Sequence, residues 1–298
     1  MKIAIIGTNG FLSTAIANYA LNNGWQLDVY GLEKPKQHLY TNFYAIDLTR
    51  ETIDGTRLIE NDIVVYAVGA GIQSNLKESA ELIYKLNVQV PIGISKLLQV
   101  VDYKGVFITF GSYFELGETD IIKPATEEDV VDASATAPTD YVISKRMLTQ
   151  YILSYQHSFT HWHFILPTIY GRGENSKRLI PYTINAILNN EKLSYTSGEQ
   201  IRQYLYVDDI PKCIDKAYNH QLMSGVYNIA GTIILSVREL VAIICNTMNY
   251  KLDTDVFGKE SKSDTSMKYL ALDGCLLKKT IDFKAETTIE KAIIKYVE

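Results

Sequence analysis

The chain has 298 residues, of which 47% are hydrophobic and 21% charged, and its formal net charge is −5. These values are ordinary for a globular protein with a full hydrophobic core, and they exclude a disordered, collagenous or coiled-coil chain. The acidic balance, without a basic stripe, argues against nucleic acid as a partner. Cys213, Cys245 and Cys275 lie far apart and are odd in number, so they predict neither a metal site nor a disulfide framework.

The longest apolar run near the N-terminus, residues 3–6, is too short for the core of a signal peptide. No stretch approaches the roughly 18 apolar residues that a membrane span needs. We therefore expect a soluble, cytoplasmic protein without a membrane partner.

Strand and helix signals alternate over the first part of the chain. Short apolar strands are predicted at residues 2–6, 27–30, 63–68 and 106–110. The spacing of apolar residues predicts helices at residues 14–22, with Gly24 as a stop signal, and at residues 79–101. Strands that are apolar throughout and separated by helices predict an α/β fold, built on a doubly wound parallel sheet with helices on both faces. Further along, helices are predicted at residues 141–155, 180–190, 207–219 and 236–249, and short strands at 165–167 and 226–229.

A glycine-rich turn joins the first predicted strand to the first predicted helix. Gly7 and Gly10 stand where the chain must turn sharply and where backbone must approach a pyrophosphate, and Ser13 is small enough for close packing of helix on strand. An anion held there would sit at the positive N-terminus of the helix. In an alternating chain this position favours a dinucleotide cofactor over an ordinary turn.

The end of the second predicted strand bears on the choice of dinucleotide. An acidic residue there normally holds the adenosine ribose of NAD, but this place falls near Gly31. Gly31 leaves room for a 2′-phosphate, and Lys34 and Lys36 could pair with it, which favours NADP(H). NAD(H) is the alternative, in which Glu33 binds the ribose and the lysines are solvated.

Three residues suggest acid–base chemistry on a carbonyl or an alcohol. Tyr141 and Lys145 are spaced i, i+4, which places them on one helix face, and a nearby ammonium lowers the pKa of a phenol. Such a phenol can exchange a proton with a substrate oxygen near neutral pH. Ser112 follows a predicted strand, at the sheet edge where ligands bind, and could contact the same oxygen. Each signal is weak when taken alone.

Taken together and in this order, these motifs resemble the extended short-chain dehydrogenase/reductases, and more narrowly their nucleotide-sugar epimerases, dehydratases and reductases. The resemblance covers about residues 1–231. The matching segments are GTNGFLS at 7–13, AVGAG at 67–71, GSYFELG at 111–117, YVISK at 141–145, LPTIYGRG at 166–173, RQYLYVDD at 202–209 and VYNIAG at 226–231.

The resemblance implies roles for the matching positions. Tyr141 would be the acid/base, Lys145 would bind the nicotinamide ribose and tune Tyr141, and Ser112 would orient the substrate oxygen. With Gly31 and Lys34 from the argument above, the expected cofactor contacts are Gly7, Asn9, Gly10, Phe11, Leu12, Gly31, Lys34, Asp47, Leu48, Ala67, Val68, Gly69, Asn87, Tyr141, Lys145, Pro167 and Thr168. The expected contacts to a nucleotide-diphosphate sugar are Ser112, Tyr113, Tyr141, Arg178 and Arg202.

The resemblance also implies an organisation of the chain. Residues 1–164 would form a Rossmann dinucleotide-binding domain, to which a later strand near 206–231 returns. Residues 165–298 would form mainly a smaller, discontinuous substrate-binding lobe. Apolar helices near residues 79–101 and 141–155 could form a homodimer interface by analogy.

Departures from the family pattern narrow the predicted reaction. Family dehydratases carry an Asp-Glu pair directly after the active-site hydroxyl, where this chain has Tyr113 and Phe114. Family 3,5-epimerases use a Cys and a His, where it has Phe114 and Gly173. We therefore expect NAD(P)H-dependent reduction of the C4 keto group of a nucleotide-diphosphate 4-keto-6-deoxyhexose, a step in deoxysugar supply for surface polysaccharide by analogy. NAD-dependent C4 epimerisation is the alternative, and a non-catalytic dinucleotide sensor is a distant one.

Overall fold

The computed structural model describes residues 1–72, 77–258 and 267–297. Its strands, in chain order, are Lys2–Ile6 (β1), Gln26–Gly31 (β2), Asn42–Ala45 (β3), Ile63–Tyr66 (β4), Val106–Ser112 (β5), Thr160–Leu166 (β6), Thr168–Tyr170 (β7), Ile201–Tyr206 (β8), Gly225–Asn228 (β9), Ile233–Ser236 (β10) and Tyr269–Leu270 (β11). Its α-helices are Phe11–Asn22 (α1), Gly55–Leu58 (α2), Ala80–Tyr84 (α3), Val90–Val100 (α4), Glu127–Val131 (α5), Asp140–Ser154 (α6), Leu179–Leu188 (α7), Asp209–Asn219 (α8), Val237–Thr247 (α9), Cys275–Ile281 (α10) and Ile289–Val297 (α11).

Seven parallel strands form the main sheet, in the order β3-β2-β1-β4-β5-β6-β9. All four residues of β4 and all seven of β5 are buried, because helices cover the sheet on both faces. This confirms the predicted doubly wound α/β fold. The chain reverses its direction of travel across the sheet between β1 and β4, and the crevice at the carboxyl ends of such strands is where ligands bind in this architecture.

A second, smaller sheet is built around β8. Strand β8 pairs antiparallel with β10 and parallel with β7 and β11. Helices α7, α9 and α11 pack beside it around a core that contains Tyr170, Ile184, Leu240 and Ile293. After β8 the chain passes through α8 and rejoins the main sheet as β9. It then returns to the smaller sheet as β10. Among the residues that the structure describes, none of the helices combines the length and the apolar character needed to cross a bilayer.

Two predicted elements are divided differently in the structure, whereas the others differ from the prediction only at their ends. The helix predicted at 79–101 is three consecutive segments, because a π-helical stretch at Lys85–Gln89 separates α3 from α4. The short strand predicted at 165–167 covers the last two residues of β6 and Pro167. Strand β7 begins directly after Pro167 and pairs with β8 of the smaller sheet. Proline has no backbone N–H to donate to a sheet ladder, so it suits a boundary between two strands.

Candidate active site

The glycine turn lies at the carboxyl end of β1, against the loop that follows β4. Gly7 has a φ of +110°, and a Cβ at this position would come within 2.9 Å of Val68 Cγ2. Gly10 is the N-cap of α1 and caps it with no side chain, and the first turn holds no acidic residue. The positive end of this helix is therefore free to meet an anion, which fits the pyrophosphate of a dinucleotide.

Asn9 connects the glycine turn to the loop after β2. Its side-chain amide donates to the backbone oxygen of Lys34 at 3.1 Å and accepts from the backbone N–H of Lys36 at 2.9 Å. The predicted cofactor residues Asn9 and Lys34 are therefore neighbours, and the loop that would face the adenosine is fixed to the turn that would face the phosphates.

Two features of this loop correct the sequence argument for NADP(H). A Cβ on Gly31 would lie only 2.6 Å from Thr8 Oγ1, so the glycine is required by close packing of the turn rather than by room for a phosphate. The ammonium of Lys36 is 2.8 Å from Glu33 and is thereby paired. Lys34 is exposed and forms no ion pair among the described residues, so it is the remaining basic candidate.

A cleft of about 290 Å³ lies at the carboxyl ends of the central strands. It brings together most of the predicted site residues. The predicted residues that line it are Gly10, Phe11, Leu12, Ala67, Val68, Gly69, Asn87, Ser112, Tyr141, Lys145, Pro167, Thr168 and Arg178. Gly7, Asn9, Gly31, Lys34, Asp47, Leu48, Tyr113 and Arg202 are not among its lining residues.

Ser112 and Tyr141 reach this cleft from different elements. Ser112 is the last residue of β5 and the N-cap of a short 3-10 helix. Tyr141 is the second residue of α6, whose start is fixed by the Thr139 hydroxyl, which accepts from the N–H of Val142 at 3.3 Å. Burial raises the pKa of Tyr141, and the nearby Ser112 hydroxyl partly opposes this rise.

Lys145 is buried one helical turn after Tyr141. Its ammonium donates to the backbone oxygen of Phe110 at 2.8 Å and lies 5.8 Å from the centroid of the Tyr141 ring. Burial lowers the pKa of Lys145 to about 8, and the charge of Glu115 acts in the opposite direction. The side chain is therefore held at the site as a titratable group.

The pKa of Tyr141 departs from the sequence prediction. Burial raises it to about 12, and the hydrogen bond from Ser112 only partly offsets this rise. The prediction that Lys145 lowers the pKa of Tyr141 is therefore wrong in this structure. The lysine donates its hydrogen bond to a backbone carbonyl, and desolvation of the Tyr141 phenolate dominates.

Asn87 holds the walls of the cleft together. Its side chain accepts from the N–H of Ala70 and donates to the oxygen of Ala70, each at 2.9 Å, and it also donates to Ser144 Oγ at 2.9 Å. Ser144 in turn donates to the backbone oxygen of Tyr141 at 2.8 Å. Asn87 therefore ties the loop after β4 to the helix that carries Tyr141.

The two residues after Ser112 point to different places. Tyr113 is fully buried in a core cluster, and its hydroxyl is 2.5 Å from Thr168 Oγ1. Phe114 lines the cleft and meets the Tyr141 ring edge-on at 6.4 Å. This placement does not support a substrate contact from Tyr113 and favours one from Phe114, which sequence reasoning did not include.

Two predicted arginines differ in their access to the cleft. Arg178 lines it and lies 3.4 Å from Glu174. Arg202 donates to the backbone oxygen of Ile201 at 2.8 Å. Burial raises the pKa of Tyr113, and the charge of Arg202 partly opposes this rise. Arg178 is thus the nearer of the two to the predicted acid/base.

Asp47 and Leu48 have local structural roles. The Asp47 carboxylate accepts from the N–H and hydroxyl of Thr49 at 3.0 and 2.6 Å, and these bonds lower its pKa. Leu48 packs in a core cluster with Ile53 and Tyr66. Neither placement requires a ligand.

Sequence reasoning also missed Glu115, which is fully buried directly below Ser112. Its carboxylate accepts from the N–H of Ser112 at 2.8 Å, while the Ser112 hydroxyl caps the same short helix. The spacing Ser-x-x-Glu is the signature of this reciprocal capping box, so the sequence did contain a signal for it.

The comparisons with known proteins agree with this architecture. The profile of the NAD dependent epimerase/dehydratase family matches residues 3–230, and the chain belongs to this family. The family consists of NAD-dependent nucleotide-sugar enzymes. Two curated relatives match almost end to end at 24% identity: CDP-abequose synthase from Salmonella muenchen, over 99% of this chain and 96% of the relative, and Protein CapI from Staphylococcus aureus, over 100% and 98%.

Solved structures show the same fold at lower identity. The dTDP-glucose 4,6-dehydratase from Bacillus anthracis, in complex with NAD, superposes with a TM-score of 0.80 at 19% identity, over 100% of this chain and 95% of the other. The UDP-glucose 4-epimerase from Thermotoga maritima, with UDP-glucose, gives a TM-score of 0.82 at 17% identity, over 100% and 97%.

Proposed function

We propose that this protein reduces the C4 keto group of a nucleotide-diphosphate 4-keto-6-deoxyhexose, with NADPH or NADH as the reductant. The proposal is supported by the meeting of Tyr141, Ser112 and Lys145 in one cleft beside an uncapped helix N-terminus. It is also supported by the end-to-end similarity to CDP-abequose synthase. In this account the lobe around β8 covers the nucleotide, and Arg178 and Arg202 face its diphosphate.

The proposed roles follow from the geometry of the cleft. The bound nicotinamide cofactor supplies the hydride. Tyr141 donates a proton to the carbonyl oxygen, and the Ser112 hydroxyl orients that oxygen. Lys145, held by the Phe110 carbonyl, lines the same cleft and would bind the nicotinamide ribose. Desolvation keeps Tyr141 protonated at neutral pH, as a proton donor must be before reaction.

The residues that follow Ser112 bear on which reaction of the family the cleft can perform. Elimination of water across C5 and C6 needs an acid and a base beside the sugar. Phe114 presents an apolar ring to the cleft, and Tyr113 is buried with its hydroxyl on Thr168. The carboxylate of Glu115 is fully buried and engaged by the Ser112 N–H and the Thr149 hydroxyl. Reduction requires no further acid or base.

Two observations favour C4 epimerisation as a second candidate. An epimerase retains NAD, whereas a reductase exchanges its cofactor in every cycle. The Lys36–Glu33 ion pair and the close approach of Thr8 to Gly31 weaken the argument for a 2′-phosphate site. The argument for NADP(H) then depends on Lys34. The preferred cofactor is therefore part of the test.

A panel assay decides between the two candidates. The purified protein is incubated with CDP-, dTDP-, GDP- and UDP-linked 4-keto-6-deoxyhexoses and with NADPH or NADH, and loss of the reduced nicotinamide absorbance is followed. We expect stoichiometric oxidation of the cofactor and a 4-hydroxy product by NMR. Interconversion of 4-hydroxy sugars without added cofactor, by protein that carries NAD as purified, would establish the epimerase instead.

We also propose a homodimer formed through α6 and the neighbouring α4. Ile143 and Met147 are one turn apart on α6 and are 39% and 47% exposed, and Val100 at the end of α4 is 82% exposed. Large apolar side chains exposed on adjacent helices are typical of a protein interface. Sedimentation equilibrium of the purified protein tests this proposal.

A further inference from the structure

A chain of buried threonine and histidine side chains runs from Glu115 into the interior of the main sheet. Thr149 Oγ1 donates to Glu115 Oε2 at 2.6 Å and lies 3.0 Å from His163 Nε2. Thr109 Oγ1 lies 2.8 Å from His163 Nδ1 and 3.0 Å from His161 Nε2. All five residues are buried to at least nine-tenths, so solvent does not supply these partners. We call Thr149, His163, Thr109 and His161 the buried relay.

The outer end of the buried relay approaches the surface at His157. The ring of His157 is 5.3 Å from that of His161, centroid to centroid, and it is half-buried. His161 Nδ1 is buried and has no hydrogen-bond partner in the part of the chain that the structure describes. An unpaired buried nitrogen is costly, so its presence beside a partly exposed histidine needs an explanation.

The proton positions follow from the chemistry of the inner end. An ionised carboxylate only accepts, so the Thr149 proton points to Glu115 and His163 donates to Thr149 from Nε2. His163 Nδ1 then accepts from Thr109, which accepts from His161 Nε2. Burial lowers the pKa of His161 to about 3 and that of His163 well below its ordinary value, so both rings are neutral. Every donor therefore points from His161 toward Glu115.

Glu115 lies among the groups proposed to react. Burial raises its pKa, and the Thr149 hydroxyl, the Ser112 N–H and the charges of Lys145 and Arg146 oppose this rise. In return, the charge of Glu115 raises the pKa of both Tyr141 and Lys145. Its protonation state is thus felt at the proposed acid/base without direct contact with substrate.

We propose that Glu115 is a positioning residue for the proposed reduction, and that it gains and loses its proton through the buried relay. This inference rests on the proposed function for its catalytic consequence. The hydrogen-bonded chain itself does not depend on which substrate is bound.

The transfer balances at every atom. One proton enters at His161 Nδ1 from the neighbouring ring of His157, which takes a replacement proton from solvent. The proton on His161 Nε2 moves to Thr109 Oγ1, whose own proton moves to His163 Nδ1. The proton on His163 Nε2 moves to Thr149 Oγ1, whose own proton passes to Glu115 Oε2. Each hydroxyl and each ring gains one proton as it loses one, so only Glu115 changes charge. The reverse sequence returns the proton to solvent.

Nitrogen-15 NMR of histidine-labelled protein tests the relay without any substrate. The proposal predicts neutral rings with the proton on Nε2 of both His163 and His161 while Glu115 is ionised, and on Nδ1 of both once Glu115 is protonated. Thr149→Val removes the hydroxyl at similar volume and should alter the His163 signals, whereas Thr149→Ser keeps the hydroxyl and should restore them. The exposed His220 serves as an internal reference. A His163 proton that stays on the same nitrogen while Glu115 titrates, or identical His163 signals in the Val and Ser variants, would overturn the relay.

The pH dependence of turnover tests the positioning role. Glu115→Gln removes the charge that favours the protonated forms of Tyr141 and Lys145, so the alkaline limb of kcat should move to lower pH by about one pH unit. Thr149→Val should move it in the same direction, because the ionised form of Glu115 loses a donor, and Thr149→Ser should match the wild type. An unmoved limb in a folded Glu115→Gln or Thr149→Val protein contradicts the role. Failure of the wild type to reduce any 4-keto sugar would instead refute the proposed function, and the NMR result would still decide the relay.

Discussion

The ammonium of Lys145 donates its hydrogen bond to the backbone carbonyl of Phe110, 2.8 Å away, rather than to the Tyr141 hydroxyl. This bond fixes the lysine near the end of β5, two residues before Ser112, the last residue of that strand. The lysine is thereby held as a buried group that lines the same cleft as Tyr141. Burial at this position lowers the pKa of Lys145 to about 8, and this shift has a measurable consequence for stability.

The pH dependence of stability should report that consequence. The pKa of Lys145 is about 8 in the folded protein and 10.5 in its ordinary environment, so the unfolded chain binds more protons between these values. Stability contributed by this group therefore rises as pH increases from about 8 toward 10.5, by at most about 3 kcal/mol. Urea unfolding of the wild type and Lys145→Met across this window should show the wild type gaining stability relative to the variant. Parallel curves would mean that the lysine is not desolvated.

The contact between Thr8 and Gly31 predicts a steric effect. Gly31→Ala should destabilise the protein by about 1–3 kcal/mol, because the new Cβ would meet Thr8 Oγ1 at 2.6 Å. Thr8→Ala removes the atoms that clash, so the double variant should recover most of the loss relative to Thr8→Ala alone. Denaturant midpoints of the four proteins check this cycle. If the two changes are simply additive, the glycine is not there for packing.

Lys34 should carry any preference for a phosphorylated cofactor. Lys34→Ala should lower the ratio of kcat/KM with NADPH to that with NADH by about two- to fivefold, the worth of an exposed charge pair. Lys36→Ala is the matched control, since its ammonium is already paired with Glu33. Equal ratios in the wild type and Lys34→Ala would remove the basis for NADP(H).

Removal of the Tyr141 hydroxyl should separate chemistry from binding. Tyr141→Phe should lower kcat by about 10²–10⁴-fold, the usual contribution of a positioned general acid. The affinity for cofactor, measured by fluorescence titration, should change little. Tyr155→Phe, at an exposed position just beyond α6, is the control. Retained turnover in Tyr141→Phe would exclude it as the proton donor.

The sequence predicted the parts of the site that local patterns determine. The first strand, the glycine turn and the start of α1 follow one another directly, so their geometry is encoded within residues 2–22. Ser112 could be placed because the carboxyl ends of parallel strands share one edge, and Tyr141 because a helix begins there. These inferences need no knowledge of distant packing.

Relationships across the fold could not be predicted in this way. Thr8 meets Gly31 only because β1 and β2 are neighbours in register, with Ile6 opposite Tyr30. The burial of Tyr113 depends on β7 bringing Thr168 to its hydroxyl. The pKa of Tyr141 was predicted with the wrong sign because i, i+4 spacing says nothing about desolvation or about a competing carbonyl.

The most direct test of the account follows the hydride itself. Reduced cofactor carrying two deuterium atoms at nicotinamide C4 is supplied with the accepted 4-keto-6-deoxyhexose nucleotide, and the product is examined by NMR. We predict one deuterium at sugar C4 for each cofactor oxidised, and incorporation with Tyr141→Phe that is slowed as much as kcat. A product without deuterium at C4, or sugar conversion without oxidation of the supplied cofactor, would contradict it.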